Sequence, residues 1–502
     1  MSALWFGRTL RLLATVLVLA IGLCSVGQAA ESKNAKVFRA GAAKSNITPP
    51  LGISMPGGMS DRKATNIHDE LHVRCLVLDN GEEKIALAIC DAVALDRTVI
   101  LRAKELIEKH TGIPPDHVVV AATHSHSAGA TVSVFQSDAD PAYLDFVAVR
   151  VADGVRRAVN NLRTARVGWG VGSEDRVVFN RRYFMKPHTP PPDPWGKTDD
   201  QVKMNPGVEN PNVVKPAGPT DPALPVLAVQ DLDGDPIAVL ASYTLHYVGG
   251  EKSGDISADY YGIWTAMIEH DWPTSTSITK PPCVAILTNG CSGNINNVDV
   301  RKRLTPPYPY HQMNKVARMV ADDALQVLKG IKYQEWVPLA GRLATVELGV
   351  RKPSAEEVQS ARGIVEKAGP QMKSLSEIYA RETALMADWP EKVKVPIQAL
   401  RIGDVGIVAF PGEAFVELGL EVKEKSPFRT TFVIDLANDY LGYVPTVAAH
   451  EQGGYETWRA RSSFLERGAA PVWVSTALDL LKQLHSPEAF AKLLWRRLLA
   501  CE

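Results

Sequence analysis

The chain has 502 residues, and its 55 basic and 56 acidic side chains leave a formal net charge of −1 at pH 7. Proteins that bind nucleic acid through its phosphates carry a basic excess, so this balance argues against a nucleic-acid partner. Beyond residues 1–30 no stretch is apolar enough to span a bilayer. We therefore expect a soluble mature protein without a transmembrane segment.

The N-terminal segment has the layout of a cleaved secretory signal. Arg8 and Arg11 precede an apolar run from Leu12 to Leu23, and small residues follow that run. A single membrane anchor is the alternative, but the run is short for a spanning helix, which needs about 20 residues. We predict that residues 1–30 are a signal peptide and that the protein is exported, either to a periplasm or out of the cell.

Cysteine usage excludes a disulfide scaffold. Five cysteines follow the predicted signal, and none belongs to a paired CxxC metal motif. Because five is an odd number, at least one thiol must stay unpaired even in an oxidising compartment. The five are Cys75, Cys90, Cys283, Cys291 and Cys501.

Apolar runs and helical periodicity alternate along the chain and predict an α/β fold with mixed β-sheets flanked by helices. The predicted strands are 73–78, 85–89, 118–122, 226–229, 237–242, 284–288, 343–348, 397–402, 406–410 and 431–436. The predicted helices are 97–110, 142–162, 261–269, 313–328 and 413–423.

Residues 31–502 are predicted to form one large catalytic domain, although length alone would suggest two or three. The strands before and after the Pro-rich stretch 187–225 are expected to contribute to one site. We therefore interpret this stretch as a surface excursion and not as a linker between domains. The charged stretch 354–392 has a helical pattern and is interpreted as an insertion or a lid.

The segment 117–129 (HVVVAATHSHSAG) is an apolar strand that ends in polar residues. On an extended chain the side chains of His124 and His126 project to the same side, so both imidazoles can reach one site. The carboxyl ends of strands are also where α/β proteins bind ligands. A solvated loop pair is the alternative interpretation of these two histidines.

Two further strands end in candidate metal ligands. His246 ends the apolar run 237–246, although a histidine there can also be a hydrogen-bonded core residue. Glu413 follows a sharp Pro-Gly turn at the predicted start of a helix, where it could instead complement the helix dipole.

Tyrosines and a serine complete the set of candidates. Tyr443 lies in segment 437–446 (ANDYLGYVPT), and Tyr455 follows it; such tyrosines often pack and donate one hydrogen bond. Ser292 follows a strand but lacks the G-x-S-x-G spacing of a nucleophile elbow, so the sequence does not support a serine hydrolase.

The order of these motifs along the chain resembles that of the neutral ceramidase family (the neutral and alkaline non-lysosomal ceramidases), which hydrolyse N-acylsphingosines. Segments 43–50 (AKSNITPP), 55–58 (MPGG) and 67–74 (IHDELHVR) are also similar to the opening of that family. The resemblance covers residues 38–458, nearly all of the predicted mature chain.

The resemblance implies one zinc ion per chain, with His124, His246, Glu413 and Tyr443 matching the family's metal ligands. It also implies that His126 assists catalysis without holding the metal. Tyr455 matches a tyrosine that faces the developing oxyanion.

Four further positions are carried over from the family's motifs. Arg181 matches the arginine of an Asn-Arg-Ser-Pro motif, and Ser292 matches the serine of a Gly-Asp-x-Ser-Pro-Asn motif. Both are expected in the catalytic group, whereas Gly57 and Asn180 are expected beside the substrate.

Zinc chemistry is consistent with this donor set independently of the family. Two neutral imidazoles and a carboxylate leave an open position for a water, whose pKa zinc lowers to about 7. We expect this water to attack an amide carbonyl, Tyr455 and zinc to stabilise the oxyanion, and His126 to protonate the leaving amine. The implied substrate is ceramide or a similar N-acyl lipid, with a membrane surface as one place where the enzyme would meet it.

The chain departs from the family pattern around the expected substrate pocket. Segment 126–130 reads HSAGA where the family has HSGPG, Gly293 replaces a proline, and segment 456–462 lacks the family's small-residue run. Arg182 and Tyr183 stand where the family has Ser-Pro. The sequence also ends without room for the β-sandwich that follows the catalytic domain in ceramidases.

These departures leave two alternatives to a ceramidase. One is a zinc hydrolase of the same scaffold that acts on a more polar amide or ester, which the added charge of Arg182 favours. The other is a non-catalytic exported binding protein. The second is disfavoured because the chain keeps every ligand type together with His126 and Tyr455.

Overall fold

The computed structural model describes residues 36–272, 279–303 and 305–486. The predicted signal peptide and Cys501 lie outside these ranges. From Phe38 onward the described residues belong to one structural unit. Within the described residues no helix is long and apolar enough to cross a membrane.

The strands are β1 Arg39–Asn46, β2 Ser54–Met55, β3 Arg62–Lys63, β4 Asn66–Ile67, β5 His72–Asp79, β6 Lys84–Cys90, β7 Val118–Ala122, β8 Arg163–Ser173, β9 Phe179–Asn180, β10 Arg182–Met185, β11 Val202–Met204, β12 Val213–Pro216, β13 Ala223–Asp231, β14 Pro236–Tyr243, β15 Asp255–Ile256, β16 Val284–Asn289, β17 Ile295–Asn296, β18 Leu339–Gly349, β19 Lys392–Ile402, β20 Val405–Ala409, β21 Glu413–Ala414, β22 Thr430–Ile434 and β23 Tyr443–Val444.

The helices are α1 Arg97–Thr111, α2 Pro141–Asn160, α3 Asp259–Asp271, α4 His311–Gly330, α5 Ala355–Ala368, α6 Leu375–Leu385, α7 Val416–Lys425, α8 Val447–Gln452 and α9 Ala469–His485. Short 3₁₀ turns occur at Pro115–His117 and Tyr455–Thr457.

Two sheets form the centre of the molecule. The larger has the strand order β16-β14-β13-β8-β1-β5-β6-β7, and the smaller has the order β18-β19-β20-β22. Alternate side chains of the larger sheet, such as Leu76 and Leu87, pack with Leu400 and Ile407 of the smaller sheet in a shared core. The two sheets therefore lie face to face.

Helices cover the outer faces of both sheets. The outward side chains of β5 to β7 pack against α1 and α2, and those of β13, β14 and β16 pack against α3 and α4. The smaller sheet is covered by α7 and α9. The result is a layered α/β/β/α arrangement, which confirms the predicted fold class of mixed sheets flanked by helices.

Parallel pairing brings the functional strand ends to one edge. β7 is parallel to β6, β16 to β14, and β22 to β20. Backbone hydrogen bonds from Ala122 to Leu436 (3.1 Å) and from Asp435 to Asn289 (3.0 Å) join the carboxyl ends of β7, β16 and β22. The loops that follow these strands therefore converge.

Two stretches with special sequence patterns are structured. The Pro-rich stretch 187–225 contains β11 and β12, which pair with β10 on either side. The stretch 354–392 contains α5 and α6. Each of these helices begins with a capping box, formed by Ser354 with Glu357 and by Ser374 with Glu377.

Candidate metal centre

His124 lies just after β7 in an uncommon backbone conformation. Its φ is +76°, a left-handed value that costs a non-glycine residue about 1–3 kcal/mol. A backbone hydrogen bond to Ala92 (2.8 Å) holds this conformation, and the Nδ1 atom of His124 lies 2.6 Å from the Val93 carbonyl. Because Nδ1 donates to that carbonyl, the lone pair on Nε2 is available to a metal ion.

His246 follows β14 and is buried beside His124, with the two ring centroids 4.2 Å apart. Its Nδ1 atom accepts a hydrogen bond from Arg181 (2.9 Å). Burial lowers the pKa of His246, and the charges of His124, Arg181 and His126 lower that pKa further. The ring is therefore neutral at pH 7, with its proton on Nε2 and its lone pair on Nδ1. Nδ1 lies 3.9 Å from Oε2 of Glu413, so it is the atom that would bind a metal ion, in place of the hydrogen bond from Arg181.

His126 completes a cluster of three histidines. Its Nε2 atom lies 3.3 Å from Nε2 of His124 and 2.9 Å from Nε2 of His246. The other side of its ring packs against Gly57, where an added Cβ would lie 2.5 Å from Nδ1 of His126. Burial lowers the pKa of His126, and the charges of His124 and Arg181 lower it further, so this imidazole is also neutral.

Glu413 and Tyr443 are held side by side by backbone pairing. The two-residue strands β21 and β23 are parallel, and Glu413 is the direct partner of Tyr443. Helix α7 begins only at Val416, so Glu413 does not lie in its first turn. The alternative role for Glu413, complementing a helix dipole, is therefore wrong.

The Glu413 carboxylate points at the histidines. Its Oε2 atom lies 3.3 Å from Nε2 of His124, and its Oε1 atom accepts a hydrogen bond from Tyr440 (3.0 Å). Burial would raise the pKa of Glu413, but His124, Arg181 and Tyr443 outweigh burial and lower the pKa. Oε2 is buried and has no hydrogen-bond donor among the described residues. An ionised, unpartnered oxygen in this position suits a metal ligand.

Arg181 lies behind the histidines. Its guanidinium stacks on the Tyr443 ring at 5.3 Å from the centroid and forms an ion pair with Glu456 (2.9 Å). Arg182 binds the other oxygen of Glu456, also at 2.9 Å, and is only 2% exposed. Arg182 is therefore buried in an ion pair and does not line the cavity described next, which contradicts the prediction that its charge favours a more polar substrate.

A narrow cavity of about 40 Å³ opens onto the cluster. Its lining includes His124, His126, Glu413, Tyr440, Tyr443 and Tyr455. Tyr455 packs edge-on against Tyr443, with the ring centroids 5.6 Å apart. Burial raises the pKa of Tyr455, so its hydroxyl keeps its proton at neutral pH.

Four predicted site residues lie outside this cavity lining: His246 and Arg181, described above, and Ser292 and Asn180. Ser292 is buried, and its hydroxyl accepts a hydrogen bond from Asn289 (2.8 Å). Asn180 donates to the Pro219 carbonyl (3.0 Å) and accepts from the Arg182 amide (3.1 Å). In the structure, the side chains of Ser292 and Asn180 support loops behind the cluster.

The sequence analysis did not identify two residues that hold site side chains in place, Tyr440 and Glu456. Tyr440 holds Glu413 and belongs to the same motif as Tyr443, so its place in that motif was an available signal. Glu456 adjoins Tyr455 in the chain, but its role depends on Arg181, which is far away in sequence.

The residues present fit a metal ion such as zinc. Ligand atoms of His124, His126 and His246 lie within 4.8 Å of one another. Two ligand atoms bound to one tetrahedral zinc at about 2.0–2.1 Å are about 3.3 Å apart. Nε2 of His124 and Oε2 of Glu413 have this separation, 3.3 Å. Glu413 adds a carboxylate to the same group. The described cysteines Cys75, Cys90, Cys283 and Cys291 are free and buried, consistent with the expected absence of a disulfide scaffold.

The fold and this centre define a mixed α/β protein with a buried histidine cluster able to hold a metal ion at the strand ends. The structure is similar to the crystal structure of neutral ceramidase from Pseudomonas aeruginosa, with a TM-score of 0.67 and 18% identity, covering 90% of this chain and 75% of that chain.

It is also similar to a ceramidase complexed with C2, with a TM-score of 0.66 and 17% identity, covering 89% of this chain and 75% of that chain. No family model matches the sequence. The chain therefore has the neutral ceramidase fold, as the order of its motifs implied.

Proposed function

We propose that this protein is a zinc-dependent amide hydrolase that cleaves ceramide or a similar N-acyl lipid to a fatty acid and an amine. The observation that carries the proposal is the unpartnered, ionised Oε2 of Glu413 facing the buried histidine cluster. The cluster lies in a fold shared with neutral ceramidase. The predicted export would place the reaction outside the cytoplasm.

In the proposed site His124, His246, Glu413 and Tyr443 hold the zinc ion. When bound, zinc supplies Lewis acidity, which activates water and polarises the amide carbonyl. Val93 fixes the tautomer of His124, and Tyr440 orients Glu413. The supporting hydrogen bonds are of the kind that set ligand geometry in metal sites.

The remaining residues move protons and stabilise charge. His126 is neutral and lines the cavity, so its Nε2 can take a proton and pass it to the leaving amine. Tyr455 keeps its proton and donates a hydrogen bond to the developing oxyanion. Arg181 provides a fixed positive charge beside Tyr443 and His246.

The division of roles between the histidines can be tested directly. His126→Ala should keep about one zinc per chain and lose turnover by about 10²–10⁴-fold, the usual contribution of a general acid or base. His124→Ala should lose the zinc. Metal analysis beside a hydrolysis assay measures both quantities. Loss of zinc in His126→Ala would instead assign the metal to the three-histidine set.

The substrate class is tested by a hydrolysis panel. The purified protein is assayed with short-chain and long-chain N-acylsphingosines beside N-acyl amino acids. We expect turnover of N-acylsphingosines. Turnover of another amide without any ceramide hydrolysis would replace this proposal with the polar-substrate alternative.

A further inference from the structure

A second and larger cavity adjoins the metal centre. This cavity, here called the lateral groove, has a volume of about 780 Å³ and lies between the end of α6, the start of β19 and the loop before β23. Its apolar lining includes Val132, Leu385, Trp389, Leu441 and Phe464. Cavities of about 300–1,000 Å³ are typical for small-molecule ligands, and this one is large enough for an alkyl chain.

The lateral groove and the metal centre share a wall. Val132 and Tyr440 line both the lateral groove and the narrow cavity above the histidines. Tyr440 also donates to Glu413 at 3.0 Å. A molecule in the lateral groove would therefore touch a side chain that orients a proposed metal ligand.

Positively charged side chains lie beside the apolar lining of the lateral groove. Arg97, Lys392, Lys394 and Arg461 line the groove, against two carboxylates, Asp96 and Asp439.

The two arginines are already paired. Arg97 contacts Asp439 at 2.6 Å, and Arg461 binds both oxygens of Glu382 at 2.9 and 2.8 Å. Asp96 is the N-cap of α1 and accepts from the Thr98 amide (2.8 Å). Neither arginine therefore offers a free positive charge to a ligand, whereas Asp96 keeps its negative charge at the start of α1.

Lys392 and Lys394 differ from the arginines. Both are exposed, and neither forms an ion pair with any residue that the structure describes. They are two residues apart on β19, so their side chains leave the strand on the same side. Glu347 is the cross-strand neighbour of Lys394 on β18, but no ion pair joins the two side chains. Apolar side chains beside two ammonium groups that form no ion pair complement a long chain that ends in a carboxylate.

We propose that the lateral groove binds a long-chain carboxylate. The alkyl chain lies on Trp389 and Phe464, whose rings meet edge-on at 4.9 Å, and the carboxylate lies at Lys392 and Lys394. Two sources share this chemistry: the fatty acid that the proposed reaction releases, and an N-acyl amino acid presented as substrate. Only the choice between these sources rests on the proposed function.

Binding is measured first, without turnover. Dodecanoate, kept below its micelle concentration, is titrated by calorimetry into the full chain and into a Lys392→Glu/Lys394→Glu variant. The matched control is Lys329→Glu/Lys332→Glu, which changes two exposed lysines outside the groove. Dodecanol serves as the uncharged probe.

We expect saturable dodecanoate binding that weakens at least tenfold in the groove variant but not in the control. Dodecanol should bind more weakly than dodecanoate to the wild type. Leu385→Ser, at a side chain that is 43% exposed, should weaken both probes. Equal dodecanoate affinity in wild type and groove variant, or no saturable binding to the wild type, would overturn the proposal.

Kinetics then identify the source. Inhibition of N-acylsphingosine hydrolysis by dodecanoate, relieved in the groove variant, would assign the site to the released acid. A selective rise in KM for N-dodecanoylglutamate would assign it to a substrate carboxylate. Dodecanoate is also titrated into the metal-stripped protein, where binding requires no zinc and no turnover. Failure of the groove proposal can therefore be distinguished from failure of the proposed activity.

Discussion

At the scale of single residues, Gly57 shows how closely the backbone approaches the His126 ring. Its φ is +109°, and an added Cβ would lie 2.5 Å from Nδ1 of His126. Gly52 provides a matched control, since its φ is also positive (+86°) but a Cβ there would meet nothing within 4 Å.

Gly57→Ala should displace the His126 ring and lose most turnover while the zinc content stays near one per chain. Gly52→Ala should cost only the backbone strain, about 1 kcal/mol of unfolding free energy. Assays of hydrolysis, metal content and urea unfolding on both variants check this. Equal activity in the two variants would show that the contact with His126 has no catalytic importance.

Glu456 is the second residue with a distinct role, because it alone joins Arg181 to Arg182. It is fully buried and contacts both guanidinium groups at 2.9 Å. Removing one partner of a buried ion pair leaves uncompensated charge and costs about 3–5 kcal/mol.

We therefore expect Glu456→Ala to lower the free energy of unfolding by that amount. Glu456→Gln, which keeps the shape and hydrogen-bonding capacity, should fold better but turn over more slowly with little change in KM, since Arg181 is no longer held against His246 by a full charge. Unfolding and steady-state kinetics measure both effects. A Glu456→Gln variant with wild-type kcat would contradict the positioning role.

At the scale of elements, His117 joins the start of β7 to the turn between β5 and β6. Its imidazole lies 2.9 Å from Asp116 and 3.3 Å from Glu83. Burial alone would lower the pKa of His117, but these two carboxylates raise it to about 9. A raised folded-state pKa stabilises the protein below the unfolded value of about 6.5, and this contribution is lost as the pH rises through 9.

His117→Gln should therefore destabilise the protein more at pH 6 than at pH 10, by a difference on the order of 3 kcal/mol. Urea unfolding of wild type and variant at the two pH values gives the difference directly and cancels the titration of other groups. An equal destabilisation at both pH values would show that His117 carries no proton in this interaction.

The sequence predicts a strand or helix well where the pattern of apolar and polar residues follows directly from how its side chains are buried. The strand β7 and the helix α1 were predicted nearly to their ends, because one is a continuous apolar run and the other has a Gly C-cap and helical periodicity. Strand β8 was missed because its glycines at 168, 170 and 172 resemble a loop. In the structure an added Cβ at these positions would meet Val327 or Ile331 of the covering helical segment within 2.8 Å, so packing requires glycine.

Strand patterns also predict part of the candidate site. The residues that the sequence does not reveal are those whose contacts depend on long-range pairing. His124, His126 and His246 were found because each follows an apolar strand, and the structure brings them together. The motif signals Tyr440 as a candidate, but its contact with Glu413 depends on β21 pairing with β23. The contact of Glu456 depends on Arg181 approaching it across 275 positions of sequence, which the sequence does not predict.

At the scale of the whole molecule, two facing sheets and their parallel strand pairs place residues from distant parts of the chain around one point. The fold class followed from alternating strands and helices, whereas the strand order β16-β14-β13-β8-β1-β5-β6-β7 did not, because register and neighbours depend on long-range pairing. The layered arrangement brings the ionised Glu413 carboxylate to the buried histidine cluster.

The zinc dependence of amide hydrolysis tests this account most directly. N-acylsphingosine hydrolysis is measured on the protein stripped of metal by a chelator and on the same sample titrated with zinc, with circular dichroism showing that the fold is kept. We predict that activity is lost on stripping and returns in proportion to zinc, reaching its maximum at one ion per chain. A metal-free folded protein that hydrolyses the substrate at the original rate would contradict the account.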